Sequence, residues 1–307
     1  MEEFSIKNSI KVPHLIRIYG NELVFCGSQS EAHKWLKKKH INQSAAYVIY
    51  DPCGTMLNIY GSTFSRYGYD LKTFDAAACR AGVKYNPFEY IKDDGDISKL
   101  VAVIFGDTHS CEKFNDFYSV ICDDDDLYFA DDDVFDVLDN DSALDDSFVS
   151  AEQLLLSAII GFVHENGHSD ERNFGMVNEM LQTMDFKVYG GYSEDSDDDY
   201  KTAVDYMFEA EEERNPQSSS AGLYKQFKAT PYRNDQKVVD SCIERIAPLA
   251  TKQALKLMSA DELRLDKLHY RRTVLFIRGG NCCSDLELLI PFVYSQILER
   301  LRKRIFD

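Results

Sequence analysis

The run TVLFIRG, Thr273–Gly279, constrains this chain more than any other segment. Its apolar centre shows no alternation of inward and outward residues, so as a strand it must be covered on both faces, the pattern of a parallel sheet layered with helices. A strand also needs neighbours for its backbone hydrogen bonds. The strand-type segments that can supply them lie far upstream, in ELVFC (Glu22–Cys26), AAYVIYDP (Ala45–Pro52) and YDLKTFDA. The helical stretches SEAHKWLKKKH and TMLNIYGSTFSRYG separate them, which is α/β layering.

Between those parts the hydrophobic period becomes helical. Ser150 and Gln153 have capping-box spacing, and Leu154, Leu155, Ile159, Phe162 and Val163 form the stripe of a buried helix. Further helices are predicted to start near Asn173, Tyr200, Ser220 and Asp235, separated by the polar stretches GGYSEDSDDD and EERNPQSSS. A long helix follows from Asp285. The expected organisation is a first α/β part over 1–110, an acidic insertion over 111–144, an all-helical domain over 145–267 and a second α/β part over 268–307.

The charge is concentrated. The 307 residues hold 34 Lys and Arg against 52 Asp and Glu, a formal charge of −18. Cys111 to Ser150 alone carries 14 acidic residues and one basic residue, Lys113, leaving about −5 for the rest of the chain. Tyr128, Phe129, Val134, Phe135, Val137 and Leu138 are interleaved with the carboxylates, so this segment reads as a solvated excursion with one apolar side. No register of DDDDLYFADDDVFDVLDNDS supplies the glycine that a calcium loop needs at its sixth position. A chain of this charge lacks the cations that displace DNA counterions, which argues against nucleic acid as a partner. With 44% hydrophobic residues, no uninterrupted membrane-length apolar stretch and no signal-type leader, the expectation is a folded cytoplasmic protein without a membrane span. Its eight cysteines form no CxxC pair, so reduced thiols are expected.

Five strings in order, DPCGTM, YNPFEYI (Tyr85–Ile91), ERNFGMVNEML (Glu171–Leu181), TVLFIRG and PFVYSQILERL, resemble the TraG-type conjugative DNA-transfer coupling proteins of type IV secretion. The resemblance covers most of the chain outside the acidic insertion. It implies an α/β fold, an incomplete RecA-like, P-loop NTPase-type sheet with an inserted all-helical domain. Because that family's central strands lie beyond TVLFIRG, the strands near Glu22, Ala45, Asp70 and Thr273 are expected to pair directly, or to have an edge covered by the insertion or a partner.

The family's catalytic parts do not carry over. A phosphate loop needs GxxxxGK[ST], because glycine lets backbone N–H groups reach the phosphates, Lys neutralises them and the hydroxyl holds magnesium. Here the place is taken by CGSQSEAH: Gly27, Ser28 and Ser30 remain small, Cys26 and Glu31 stand at glycine positions, Ala32 replaces the lysine and His33 the hydroxyl residue. Glu31 would set a carboxylate against phosphate oxygens, an unpaired like-charge contact that costs several kcal/mol. The following motif, DPKGE in the family, reads DPCGT, and the polar strip after the last strand reads RGGNCCSD. No catalytic residue and no cofactor are therefore expected. The resemblance implies a coupling-protein-like binding or regulatory module with a protein partner, such as a coupling ATPase or a relaxase-type protein. Its oligomeric state is left open. A second reading is an acidic, DNA-mimic-like protein repurposed from the ATPase fold.

A competing motif is literal. His164-Glu165-Asn166-Gly167-His168 matches HExxH, in which two histidines one helical turn apart bind zinc and the Glu is the base of a metalloprotease. Asn166-Gly167 has helix-stop composition, with the glycine expected in a left-handed cap, so His168 should leave the helix face. Asp51 is expected to cap the helix after AAYVIYDP. The helical domain's acids, Glu194, Asp195, Asp197 to Asp199, Glu209 and Glu211 to Glu213, are expected to form a field that repels phosphate and steers cationic protein surfaces.

Overall fold

The computed structural model describes residues 14–18, 21–26, 29–38, 41, 45–76, 83–105, 143–184, 201–233, 235–270, 272–279 and 289–306. Residues 111–142 of the acidic insertion, Gly27, Ser28, Cys282, Cys283, Glu194, Asp195 and Asp197 to Asp199 lie outside them. In chain order the elements are β1 (His14–Ile18), β2 (Asn21–Cys26), α1 (Gln29–Lys38), β3 (Ala45–Tyr50), α2 (Thr55–Arg66), β4 (Asp70–Asp75), α3 (Asp94–Ile104) and α4 (Ala143–Asn166). Then come α5 (Phe174–Gln182), α6 (Ala203–Arg214), α7 (Ser219–Lys228), α8 (Gln236–Ile246), α9 (Lys252–Leu257), β5 (Thr273–Arg278) and α10 (Leu289–Phe306). The protein is mixed α/β, and its described residues divide into two compact units.

The sheet unit, built from described residues of 14–85 and 260–306, holds five strands in the order β1-β2-β3-β5-β4. β2, β3, β5 and β4 run parallel, while β1 adds an antiparallel edge closing on the pair Ile18↔Asn21. The four strands expected from sequence thus pair directly, with β5 seated between β3 and β4. β1 has no counterpart in the sequence reading, because HLIRI is short and interrupted by Arg17.

Burial on both faces explains the unbroken apolar runs. On one face Tyr47, Ile49, Val274 and Phe276 pack with Ala32 and Leu36 of α1 and with Met56 and Phe64 of α2. Phe64 is the hub: its ring makes edge contacts with Tyr47 at 5.0 Å, Tyr69 at 5.1 Å and Phe276 at 6.1 Å between centroids. The Tyr69 hydroxyl donates to the Ala45 carbonyl at 2.7 Å, and burial pushes its pKa up to about 12 against a smaller opposing effect of Arg272. On the opposite face Phe74 meets Tyr85, whose hydroxyl donates to Gln296 Oε1 at 2.6 Å and so brings α10 onto that side.

The second unit holds 86–105 and the described residues of 143–259, all of its regular elements helical. Residues 86–105, assigned by sequence to the first α/β part, fold with the helices because α3 buries Ile97, Leu100 and Val101, and Ile97 reaches Gly161 of α4. Residues 260–267, assigned by sequence to the helical part, fold with the sheet: Lys72 Nζ donates to the carbonyls of Glu262 and Leu263, at 2.8 and 2.5 Å. Helix starts follow side-chain caps at Asn173, Thr202, Ser218 and Asp235, within two residues of the sequence expectation. Thr202 and Asp205 form a reciprocal capping box. The box expected at Ser150 and Gln153 is not a helix start. α4 already begins at Ala143.

α4 is the spine of this unit, with Leu155, Leu156, Ile159, Ile160 and Val163 buried. Its Ser147–Asn166 stretch is long and apolar enough, at a mean hydropathy of 1.4, to cross a membrane by length and composition, although the sequence reading expects no such span. Half of that stretch is buried by neighbouring helices, and it carries the fully buried Glu152, which accepts from Arg245 Nη2 at 3.1 Å. Those features are those of a packed core helix.

Candidate functional site

Open α/β sheets place ligands outside the carboxyl ends of their parallel strands, where successive connections depart to opposite faces. Here β3 is followed by α2 on one face and β5 by α10 on the other, so that position lies between β3 and β5. The groups at their ends are Asp51, Cys53 and Gly54 after β3, Arg278 and Gly279 at β5, and Asp75 at the end of neighbouring β4.

These groups engage one another. Asp51 is fully buried and caps α2: its Oδ1 accepts from Met56 N at 3.0 Å and Oδ2 from Leu57 N at 2.8 Å. Its own N–H donates to the Ile277 carbonyl at 2.8 Å, anchoring the turn to β5. The turn reverses at Gly54, whose φ of 72° is left-handed, and Gly54 N donates back to the Asp51 carbonyl at 3.0 Å. Arg278 lies across this glycine: a Cβ there would sit 3.3 Å from three of its guanidinium atoms. Arg278 Nη1 in turn donates to Asp75 Oδ2 at 2.8 Å, the two residues being register partners. Asp75 is 4% exposed and Arg278 32%. Opposite, Gly279 lets Ile290 and Tyr50 close in, since a Cβ would meet their side chains at 3.0 and 3.3 Å.

Of the segment CGSQSEAH, Ser30, Glu31, Ala32 and His33 lie within α1. Ala32 is fully buried in the sheet-facing core. His33 Nδ1 and the Tyr60 hydroxyl share a hydrogen bond at 3.2 Å, tying α1 to α2, and burial raises the Tyr60 pKa. Sequence reasoning found Asp51 but missed Asp75 and Arg278. Arg278 ends the apolar run TVLFI, but DLKTFD, with Lys72 inside it, gives Asp75 no such mark, and the pairing of the two shows only once the strands are in register.

The HENGH string adopts a different geometry from a zinc helix. α4 ends at Asn166, so His164 is on the helix and His168 beyond it. Gly167 is not in the expected left-handed cap: among the described glycines only Gly54 and Gly68 have positive φ. Close approach demands the glycine instead, because a Cβ would lie 2.5 Å from the Val163 carbonyl oxygen. Glu165 Oε2 accepts from Ser218 Oγ at 2.9 Å and Ser220 Oγ at 2.8 Å, pinning the start of α7. His168 N donates to Glu171 Oε2 at 2.9 Å in the following turn. Burial, with a further push from Arg172, lowers the His164 pKa, and its Nδ1 is buried without a hydrogen-bond partner. Among the described residues no three His, Cys, Asp or Glu side chains converge as metal ligands.

The acidic field of the helical unit is partly neutralised. Glu211 is buried against Arg214 rather than displayed, Glu209 pairs with Lys201 at 2.5 Å, and Glu212 with Lys225 at 2.9 Å. Compared with protein-family models and with curated proteins, the chain finds no match in either.

Proposed function

We propose that this protein is a non-catalytic binding module of the coupling-protein type, an incomplete RecA-like sheet with an inserted helical domain, which acts in the cytoplasm through protein contacts in conjugative transfer or type IV secretion. The observation that supports the reading is the set of contacts among the described groups at the carboxyl ends of β3, β4 and β5. Arg278 lies on Gly54 and pairs with Asp75, while both oxygens of Asp51 hold backbone N–H groups of α2. The chain's own side chains thus engage the position where an open α/β sheet would receive a ligand. Ala32, standing at the lysine position, serves the core.

Partner binding gives the direct test. The full chain, immobilised, is exposed to a purified coupling ATPase and to a purified relaxase of the same element. Saturable binding of either supports the module. Binding of neither, together with Mg-ATP binding by the chain, overturns it.

A further inference from the structure

The face of the sheet opposite Phe64 carries a cavity of about 170 Å³ at the amino ends of β4 and β5. Asp70 and Lys72 alternate with Leu71, which packs on the Phe64 side, so both belong to this face, and Thr273 stands beside Asp70 in register. The stretch 261–268 covers the cavity, with Leu263 and Leu268 buried as its apolar wall. All of these residues lie within the sheet unit.

The covering stretch is held in place at several points. Lys72 Nζ donates to the Glu262 and Leu263 carbonyls, Glu262 Oε2 accepts from Lys84 N at 2.9 Å, and Asp261 Oδ2 accepts from Arg264 N at 3.1 Å. Arg264 has a φ of 51°, the one non-glycine residue with a left-handed backbone among the described residues. Arg264 and Lys267 line the cavity from this turn, and Asp70 lines it from β4. All three are exposed, and among the described residues none of their side chains enters an ion pair or hydrogen bond.

The lining is balanced in charge, with Lys72, Arg264 and Lys267 against Asp70, Asp261 and Glu262. A ligand of one sign therefore meets repulsion as well as attraction. A zwitterion can set its anionic end on the unpaired cations and its cationic end on Asp70. The volume is close to that of an apolar cavity that holds benzene, which limits the ligand to roughly six to nine non-hydrogen atoms.

We propose that this cavity binds a free apolar α-amino acid of the size of valine or leucine, with its carboxylate on Arg264 and Lys267, its ammonium on Asp70 and its side chain against Leu263 and Leu268. The cavity lies at the other end of β4 and β5 from Asp75 and Arg278, so the proposal goes beyond the binding-module reading and does not rest on it.

Isothermal titration of the full chain with L-leucine and with L-valine tests this. The expected result is saturable binding with a dissociation constant of about 1 mM or tighter. Binding should be at least about tenfold weaker for 4-methylpentanoate, which is leucine without the ammonium, and for 3-methylbutylamine, which is leucine without the carboxylate. Both are smaller than leucine, so size does not exclude them. Asp70→Asn should weaken leucine binding at least about tenfold. Arg264→Gly should do the same without loss of folding, read from its thermal melt, because glycine adopts the left-handed backbone freely. That variant carries the test should Asp70→Asn fail to fold. No saturable heat with either amino acid, or leucine binding indifferent to Arg264→Gly, would overturn the proposal. So would either one-charge analogue binding as tightly as leucine, which would make the cavity a carboxylate or an amine site.

Discussion

Asp75 and Arg278 stand opposite each other at the ends of two neighbouring parallel strands, joined by a 2.8 Å hydrogen bond from Nη1 to Oδ2. The carboxylate is buried and the guanidinium one-third exposed, so the pair is partly screened. Asp75→Ala is expected to cost about 1–2 kcal/mol, below the range for fully buried pairs. Adding Arg278→Met should return part of that loss. A double-mutant cycle by urea unfolding measures the coupling.

Gly54 and Gly68 share a left-handed backbone, but only Gly54 is covered by a side chain. Each Gly→Ala change should cost about 1–2 kcal/mol for the backbone conformation. Gly54→Ala should cost more than Gly68→Ala, because Arg278 must also move. Equal losses would mean that Arg278 does not rest on the turn.

In the sheet unit, the alternation of strand and helix was legible because parallel strands buried on both faces leave unbroken apolar runs. Four strands were readable from AAYVIY, TVLFIR and their neighbours, and the helix caps at Asn173 and Asp235 from residue type alone. The position of β5 between β3 and β4 was not, since register between segments some 200 residues apart leaves no local signal. Arg278 and Asp75 were missed for that reason: neither is notable until the sheet sets them side by side. HENGH shows the value of composition over spacing: its spacing alone suggests a zinc helix, but the helix-stop pair Asn166-Gly167 indicated that His168 leaves the helix face, and the helix does end at Asn166.

Glu152 is buried at the middle of α4 with Oε2 on Arg245 and Oε1 without a partner, while the Arg245 guanidinium also lies 4.3 Å from the centre of the Phe105 ring. Arg245→Met leaves that carboxylate uncompensated, at an expected cost of about 3 kcal/mol. Glu152→Leu added to it should recover most of the loss. Chemical denaturation of the two variants checks the sign.

His164 and Asp205 give the helical unit an acid limit. Burial holds the His164 pKa below its usual value, so as pH falls through about 6.5 the unfolded chain takes the proton first and stability declines. His164→Gln should flatten the stability curve between about pH 7 and 5. Burial opposes ionisation of Asp205, but hydrogen bonds from Thr202 and Lys228 outweigh it and lower its pKa. Its stabilisation is present above the ordinary carboxyl pKa and lost as pH falls through the depressed value. Asp205→Asn should therefore weaken the fold at neutral pH and converge with the parent in strong acid, as thermal melts across pH would record.

Isothermal titration of the full chain with ATP and magnesium tests the central claim most directly. With Arg278 on Gly54 and paired with Asp75, and with both oxygens of Asp51 engaged by α2, the proposed reading expects no saturable heat into the millimolar range and no hydrolysis. Saturable, magnesium-dependent binding abolished by Ser28→Ala or Ser30→Ala would contradict the account.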